Sequence, residues 1–305
     1  MSKSRWLIII VGSISVIIII IIITLFFYYY YIQISFIPPP PSAKHTFKVR
    51  EIYPTKQGGR QWFINLDNPQ GDGIFDPNSK IKRQPDGSWQ IKGRMGSGYY
   101  EDQVRMNVNT PKGEQQWKNV EITGYAKVIS SESPTDRLTW YARGARHSSS
   151  APCEGTSLKG SIRINGEAFW QKEIWHTGGY TDEKAKAIAT YNSLLGRWIG
   201  WKVAIYNIHN NSAVKMESYL DDKDNNQWRK VTELVDNGGW YASSSDKVFY
   251  SANCGRVKDY IITNSGPIVT FRSDNMVWDF VDLSVREIQP PPPPSPSVII
   301  IIILK

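Results

Sequence analysis

The sequence predicts an all-β domain, a sandwich or barrel of antiparallel strands, preceded by one membrane-spanning helix. Three observations predict the β-domain. Four stretches of the 305 residues alternate apolar and polar side chains with a period of two, the mark of a strand with one buried face. Turn-forming residues recur at 65–73, Pro85-Asp86-Gly87, Asn165-Gly166, 221–226 and 236–239, at spacings suited to many short strands. Helical periodicity inside the domain is confined to 182–195, where Thr181 or Asp182 would cap a short helix and Gly196 would end it.

The helix comes first in the chain. No charged residue falls between Arg5 and Lys44, and Leu7 to Phe27 is interrupted only by Gly12, Ser13, Ser15 and Thr24. Roughly 20 apolar residues span a bilayer as a helix. Lys3 and Arg5 precede the run and Tyr28 to Tyr31 would form an aromatic belt at its far side, so residues 1–37 are expected to be a cytoplasmic tip and single-pass anchor in the cell membrane, with the main domain extracellular. A cleaved signal peptide is the competing reading, against which Pro41-Ser42-Ala43 is a poor cleavage site. Residues 38–44 are a proline-rich linker, 45–289 the β-domain, and 290–305 a second proline spacer with a short apolar tail, Val298 to Leu304. Phe47 to Ile52 and Val281 to Ile288 both alternate and both contain Val-Arg-Glu-Ile, which suggests that first and last strands lie side by side.

In the alternating stretches, Val120, Ile122, Ala126 and Val128 point one way, and Trp117, Asn119, Glu121, Tyr125 and Lys127 the other. Leu138, Trp140 and Ala142 oppose Thr139, Tyr141 and Arg143. Ile199, Trp201, Val203 and Ile205 oppose Trp198, Lys202 and Tyr206, and Val214, Met216 and Leu220 oppose Lys215, Glu217 and Tyr219. If these strands are neighbours, their outer faces form a platform of rings and hydrogen-bonding groups. Such a surface suits a sugar polymer, whose pyranose rings want flat apolar contact and whose hydroxyls want polar partners. Trp117, Asn119, Tyr125, Tyr141, Arg143, Tyr206, Glu217 and Tyr219 are the expected carbohydrate-binding residues. A merely solvated polar face is the plain alternative.

The chain has 36 basic against 28 acidic residues, a net charge of +8, which favours polyanionic partners such as uronate-rich polysaccharides. Nucleic acid is not expected, because the basic residues are scattered among strands and not clustered. Cys153 and Cys254 are the two cysteines and are expected to pair, closing a loop of about 100 residues worth roughly 4 to 5 kcal/mol by the chain-entropy model. Two cysteines and four scattered histidines offer too few ligands for a zinc site, and no cofactor is expected.

The stretch Gly196-Arg197-Trp198 through Lys202-Val203-Ala204-Ile205-Tyr206-Asn207, followed by Val214-Lys215-Met216-Glu217 and Tyr219-Leu220-Asp221, resembles the paired strands of concanavalin A-like jelly rolls, including laminin G-like and alginate-lyase-like members. About 30 residues carry the resemblance. It implies a two-sheet antiparallel jelly-roll sandwich whose concave sheet holds a glycan, and it leaves open lectin or enzyme.

For an enzyme, hydrolysis is disfavoured. Retaining glucanases of this fold carry closely spaced carboxylates on one strand, and here only the scattered Glu121, Glu173 and Glu217 are candidates. A lyase acting on a uronate must neutralise the carboxylate, remove the adjacent proton and protonate the leaving oxygen. Lys172-Glu173-Ile174-Trp175-His176 and Trp201 to Asn207 loosely resemble the Gln-Ile-His and Tyr-Phe-Lys-Ala-Gly-x-Tyr patterns of alginate-lyase-like jelly rolls, although Glu173 or Ile174 stands where the amide belongs. That resemblance implies Arg143, His176, Lys202 and Tyr206 as the catalytic set. A structural or adhesive surface protein is the third reading. Asp222, Asp224, Asn226 and Glu233 are spaced somewhat like a calcium loop, with Gln227 where glycine belongs, so a structural calcium is possible but a solvated turn is favoured. Asn210-Asn211-Ser212 fits a glycosylation sequon.

Overall fold

In the computed structural model, residues 20–26, 28, 49–93, 103–148 and 150–292 are described. The chain divides into two compact units, 1–44 and 45–305. In the second unit the described strands are β1 (Gln61–Phe63), β2 (Phe75–Pro77), β3 (Ile81–Arg83), β4 (Trp89–Lys92), β5 (Gln103–Asn109), β6 (Val120–Ser131), β7 (Arg137–Gly144), β8 (Ser157–Arg163), β9 (Glu167–Glu173), β10 (Lys184–Ile188), β11 (Trp198–Ile208), β12 (Ala213–Asp221), β13 (Arg229–Asp236), β14 (Ile268–Asp274) and β15 (Met276–Glu287). They form two antiparallel sheets. The first runs β13-β12-β11-β6-β15-β4-β3, with β1 also paired to β15, and the second runs β10-β9-β8-β7-β14-β5-β2.

The core between the sheets is made by the inward half of each alternation. Val120, Ile122, Ala126 and Val128 of β6 and Ile199, Trp201, Val203 and Ile205 of β11 face Leu138, Trp140 and Ala142 of β7 and Leu158 and Ile162 of β8, all fully buried. Two tryptophans tie the layers together. Trp140 donates its ring N–H to the Trp201 carbonyl at 2.8 Å, and Trp201 donates to the Gly160 carbonyl at 3.3 Å. Gly160 is required by this approach, since a Cβ there would lie 2.5 Å from Val203 Cγ1.

The disulfide forms as expected. Cys153 and Cys254 are bonded, with Cα atoms 5.2 Å apart across a separation of 101 residues. The strand expected over Phe47 to Ile52 does not pair with 281–288; that partner is instead Gln61–Phe63, with Gln61 opposite Arg286, Phe63 opposite Ser284 and Thr55 bridging Ile288. The repeated Val-Arg-Glu-Ile does not make that pairing: residues 49–52 form no strand and lie instead over the outer face of the first sheet, where the Ile52 N–H meets Glu121 at 3.1 Å.

Two expectations are corrected. No helix forms over 182–195. Its middle is the edge strand β10, in which Ala187 pairs with Ala168 and Ile188 with Glu167, so cross-strand pairing overrides a periodicity built largely from alanine and leucine. The one α-helical turn described inside the domain, Asp246–Phe249, is capped by Ser245 and lay outside the sequence reading. The membrane-spanning helix is likewise not supported: among the described residues no helix is long and apolar enough to cross a membrane, and the helical residues near the N-terminus are 20–26 and 28. Single-pass anchoring, and the extracellular placement that followed from it, are therefore withdrawn. Residues 1–19, 27 and 29–37 of the expected tip and anchor and the apolar tail 298–304 lie outside the described residues.

Candidate functional site

Each sheet turns one face away from the core, and both faces carry charge. On the first sheet, Glu121 of β6 is 1% exposed and accepts from Lys202 Nζ at 2.8 Å and Arg286 Nη2 at 2.7 Å, while its other oxygen takes the backbone N–H groups of Ile52 and Tyr53. Beside it, Glu217 accepts hydrogen bonds from Tyr53 and from Tyr219 at 3.0 Å and pairs with Lys230 at 3.0 Å. Tyr206 packs edge-on against Tyr53, and Trp228 covers Tyr125 and Lys202. Burial first, and carboxylate contact next, raise the phenol pKa of Tyr53, the former assisted by Glu217. The chain's own segment 50–53 and loop 224–228 thus occupy this face.

The second sheet builds a different group at one end of its outer face. Lys159 on β8 and Glu173 at the end of β9 are in phase on neighbouring strands, so both project to the same side, and Lys159 Nζ lies 2.5 Å from Glu173 Oε2. Lys159 also donates to Tyr180 Oη at 2.7 Å. His147, from the loop after β7, places Nε2 3.0 Å from the same Glu173 oxygen. His176, from the loop after β9, has Nδ1 3.9 Å from the other carboxylate oxygen, and the two imidazoles meet edge-to-face at 5.7 Å. Tyr141 of β7 lies beneath Lys159. Glu173 is fully buried, yet Glu173 Oε1 and His176 Nδ1 have no hydrogen-bond partner among the described residues. A buried carboxylate oxygen left unbonded is costly in a protein interior.

The loops that carry the two histidines are held together. His176 N–H donates to the Glu154 carbonyl at 2.7 Å, Arg146 pairs with the Glu154 carboxylate, and the disulfide fastens Cys153 of the same loop to residue 254.

Burial alone would raise the Glu173 pKa, but the Lys159 ammonium and His147 outweigh it and bring it down to about 2. Burial lowers Lys159 to about 8 against the pull of Glu173. Burial also lowers the His147 pKa against the pull of Glu173, with Lys159 and Arg105 adding to the lowering. Burial, then Glu173, raises Tyr180 and keeps its phenol protonated.

The expected site residues divide between these surfaces. Tyr125, Tyr206, Glu217 and Tyr219 do share one face, that of the first sheet, but each is at most 5% exposed beneath the chain's own cover. Tyr141 belongs to the other sheet. Trp117 is buried in the core under the Arg60 guanidinium, 3.6 Å from the ring centroid. Asn119 stands at a groove at the end of the sandwich. Of the expected catalytic set, Lys202 and Tyr206 are on the first sheet and His176 is in the second-sheet group, so the structure does not bring the four together. Arg143 is fully buried, with φ of 61°, and donates to the carbonyls of Lys118 and Ile262; burial lowers its pKa to about 9. Its role there is structural.

Lys159, His147 and Tyr180 were not among the expected residues. An alternation reading of Ser157 to Arg163 would have set Lys159 outward, whereas nothing local marks His147 or Tyr180, which come from loops.

Among the described residues, no group of three or more His, Cys, Asp or Glu could hold a metal ion. In the turn whose spacing is somewhat like a calcium loop, Asp221 takes the backbone N–H groups of Lys223, Asn225 and Asn226, Asp222 pairs with Arg197 at 2.8 Å, and Glu233 pairs with Lys215 and Lys230.

No protein-family model matches the chain, and no curated protein matches it. Solved structures that are similar to it include the alginate lyase Aly36B, with a TM-score of 0.45 and 11% identity over 76% of this chain and 98% of that one. The metal-free carbohydrate recognition domain of Emp46p gives 0.47 and 8% over 78% and 100%. The VIP36 exoplasmic/lumenal domain in its Ca²⁺/Man3GlcNAc-bound form gives 0.40 and 10% over 72% and 86%. These are concanavalin A-like jelly rolls, the group that the Gly196 to Asp221 stretch resembles.

Proposed function

We propose that the protein binds a polysaccharide on the outer face of its second sheet and cleaves a uronate-containing polymer there by β-elimination. The observation that carries this reading is the Glu173 carboxylate, buried among Lys159, His147 and His176 with one oxygen unbonded. Histidine, tyrosine and a cation around one point are the groups that elimination uses.

His176, with its side chain 26% exposed, is the base that meets the substrate, and the carboxylate behind it favours the imidazolium that forms. It removes the proton on the carbon next to the uronate carboxylate. The electron pair of that C–H bond becomes the new carbon–carbon double bond, the glycosidic C–O bond at the adjacent carbon breaks, and the leaving oxygen takes its proton from the Tyr180 phenol. Arg105 on β5, whose charge acts on His147, supplies the cation for the substrate carboxylate. Carbohydrate binding without cleavage is the second reading, favoured by the Lys159–Tyr180 hydrogen bond, which engages the phenol.

Incubation with uronate polymers, followed by the ultraviolet absorbance of the conjugated double bond, tests the proposal. The signal is expected in the wild type and is expected to fall about 10²- to 10⁴-fold in Tyr180→Phe. Polymer binding with no such absorbance would leave the binding reading alone, and unchanged activity in Tyr180→Phe would remove that residue from the mechanism.

A further inference from the structure

A groove of about 500 Å³ opens at the end of the sandwich, lined by Lys56, Gln115, Gln116, Lys118, Asn119 and Glu287, with Ser265 and Ile288. Its size lies within the ~300–1,000 Å³ of small-ligand pockets. Its walls are four segments distant in sequence, fixed by backbone bonds: Lys56 N–H to the Glu287 carbonyl at 3.0 Å, Ile288 N–H to the Asn119 carbonyl at 3.0 Å, and Gly266 N–H to the Trp117 carbonyl at 2.9 Å. Arg143 holds the Lys118 carbonyl from the buried side at 3.1 Å. Asn119 Oδ1 is committed to the Asn207 N–H at 2.9 Å, which fixes its amide and leaves its NH2 group as donor. The groove is therefore preformed.

We infer that this groove binds an anionic sugar unit, a carboxylated pyranose. Two lysines, Lys56 and Lys118, line it against one acidic residue, and neither makes an ion pair among the described residues. The Glu287 carboxylate already accepts the Arg60 N–H at 2.8 Å. Three side-chain amides and a serine hydroxyl supply both donors and acceptors, the mixture that sugar hydroxyls need. No aromatic ring lines it, so recognition runs through charge and hydrogen bonds, without stacking. The inference rests on the reading of the chain as a protein that handles uronate polymers, for which the groove is a second contact remote in residue composition from the histidine group.

Calorimetric titration of the full chain with trimers of galacturonate, mannuronate and guluronate, and with neutral cellotriose, tests it. Tyr180→Phe serves as the background so that the probe is not consumed. At least one uronate trimer is expected to bind and cellotriose not to. Replacing Lys56 and Lys118 together by Ala, two side chains with no ion pair to lose, is expected to weaken binding about tenfold or more, and added salt to weaken the parent alone. Absence of uronate binding, equal binding of cellotriose, or unchanged affinity in the double variant would each overturn the groove assignment. The two readings fail separately. A wild type that gives no elimination product from any uronate polymer, while the lysine pair still governs binding, removes the catalytic reading and keeps the groove; elimination that persists with unaltered binding in the lysine variant does the reverse.

Discussion

The two outer faces of the sandwich hold similar residues in opposite conditions. On the first sheet, Glu121, Lys202 and Arg286 are closed over by segment 50–53, and the Glu121 oxygens are fully used within the chain. On the second, the buried Glu173 and Lys159 are joined by two less buried histidines in a set in which one carboxylate oxygen is unbonded among the described residues and one imidazole reaches solvent. A satisfied buried network fixes a structure. An unsatisfied one is retained at a cost, and it is there that the proposed polysaccharide site is put.

This contrast breaks most visibly in a pair of substitutions. Glu121→Ala leaves the buried Lys202 ammonium without its carboxylate and Arg286 with Glu51 in place of two carboxylates, and is expected to cost about 3–5 kcal/mol in urea denaturation. His176→Ala removes a half-exposed ring and should move stability by less than about 1 kcal/mol while abolishing the elimination absorbance. If His176→Ala unfolds the domain and Glu121→Ala is tolerated, the roles of the two faces are reversed.

Removing the disulfide by Cys153→Ser and Cys254→Ser is expected to cost about 2–4 kcal/mol, and to sharpen the contrast through its side effects. The bridge fastens the His147 loop, so polymer cleavage should fall in protein that is still folded, whereas nothing on the first sheet depends on it. Activity equal to wild type in folded double variant would show that the loop is held by its hydrogen bonds alone.

Acid provides a graded test. The Glu173 pKa is lowered from 4.5 to about 2 in the folded chain, so the folded state binds its proton less readily than the unfolded state does. Its contribution to stability is present above pH 4.5 and is lost as the pH falls through that window. Lys159, lowered from 10.5 to about 8, acts on the other side: stability rises with pH between 8 and 10.5 as the buried ammonium is relieved. Urea midpoints of Glu173→Gln should flatten the acid window by on the order of 2 kcal/mol; an unchanged slope would mean that other carboxylates carry it. The smallest effect is expected from Tyr219→Phe, which deletes one of several donors to Glu217 and should cost about 1 kcal/mol with no change in polymer binding.

The alternation of β6, β7, β11 and β12 was enough to sort Trp140, Trp201 and Val203 inward and Glu121, Lys202 and Tyr219 outward, because a period of two is fixed by backbone geometry. It could not tell that β7 belongs to a different sheet from the other three, since strand order is a long-range property, and so Tyr141 was grouped with tyrosines it never meets. Nor does a polar face announce its cover. Segment 49–52 reads as a strand, and only the buried Glu121 carboxylate, drawing in the N–H groups of Ile52 and Tyr53, turns it into a lid. The histidine group was half legible: His176 and Glu173 are near in sequence, whereas Tyr180 and His147 arrive on loops whose course is set by β9, β10 and the disulfide.

The pairing of β1 with β15 has a consequence for how the molecule comes into being. The strand at the centre of the first sheet, between β6 and β4, is built from residues 276–287, and its other partner begins at Gln61. A nascent chain that has not yet delivered Glu287 has a sheet with its middle missing, and β6 waits with one edge unpaired. Such late, long-range closure makes folding slow and largely post-synthetic, so loss of even the last dozen strand residues should deny the domain its fold and take Arg286 from the first-sheet cluster, while the histidine group stays encoded in full.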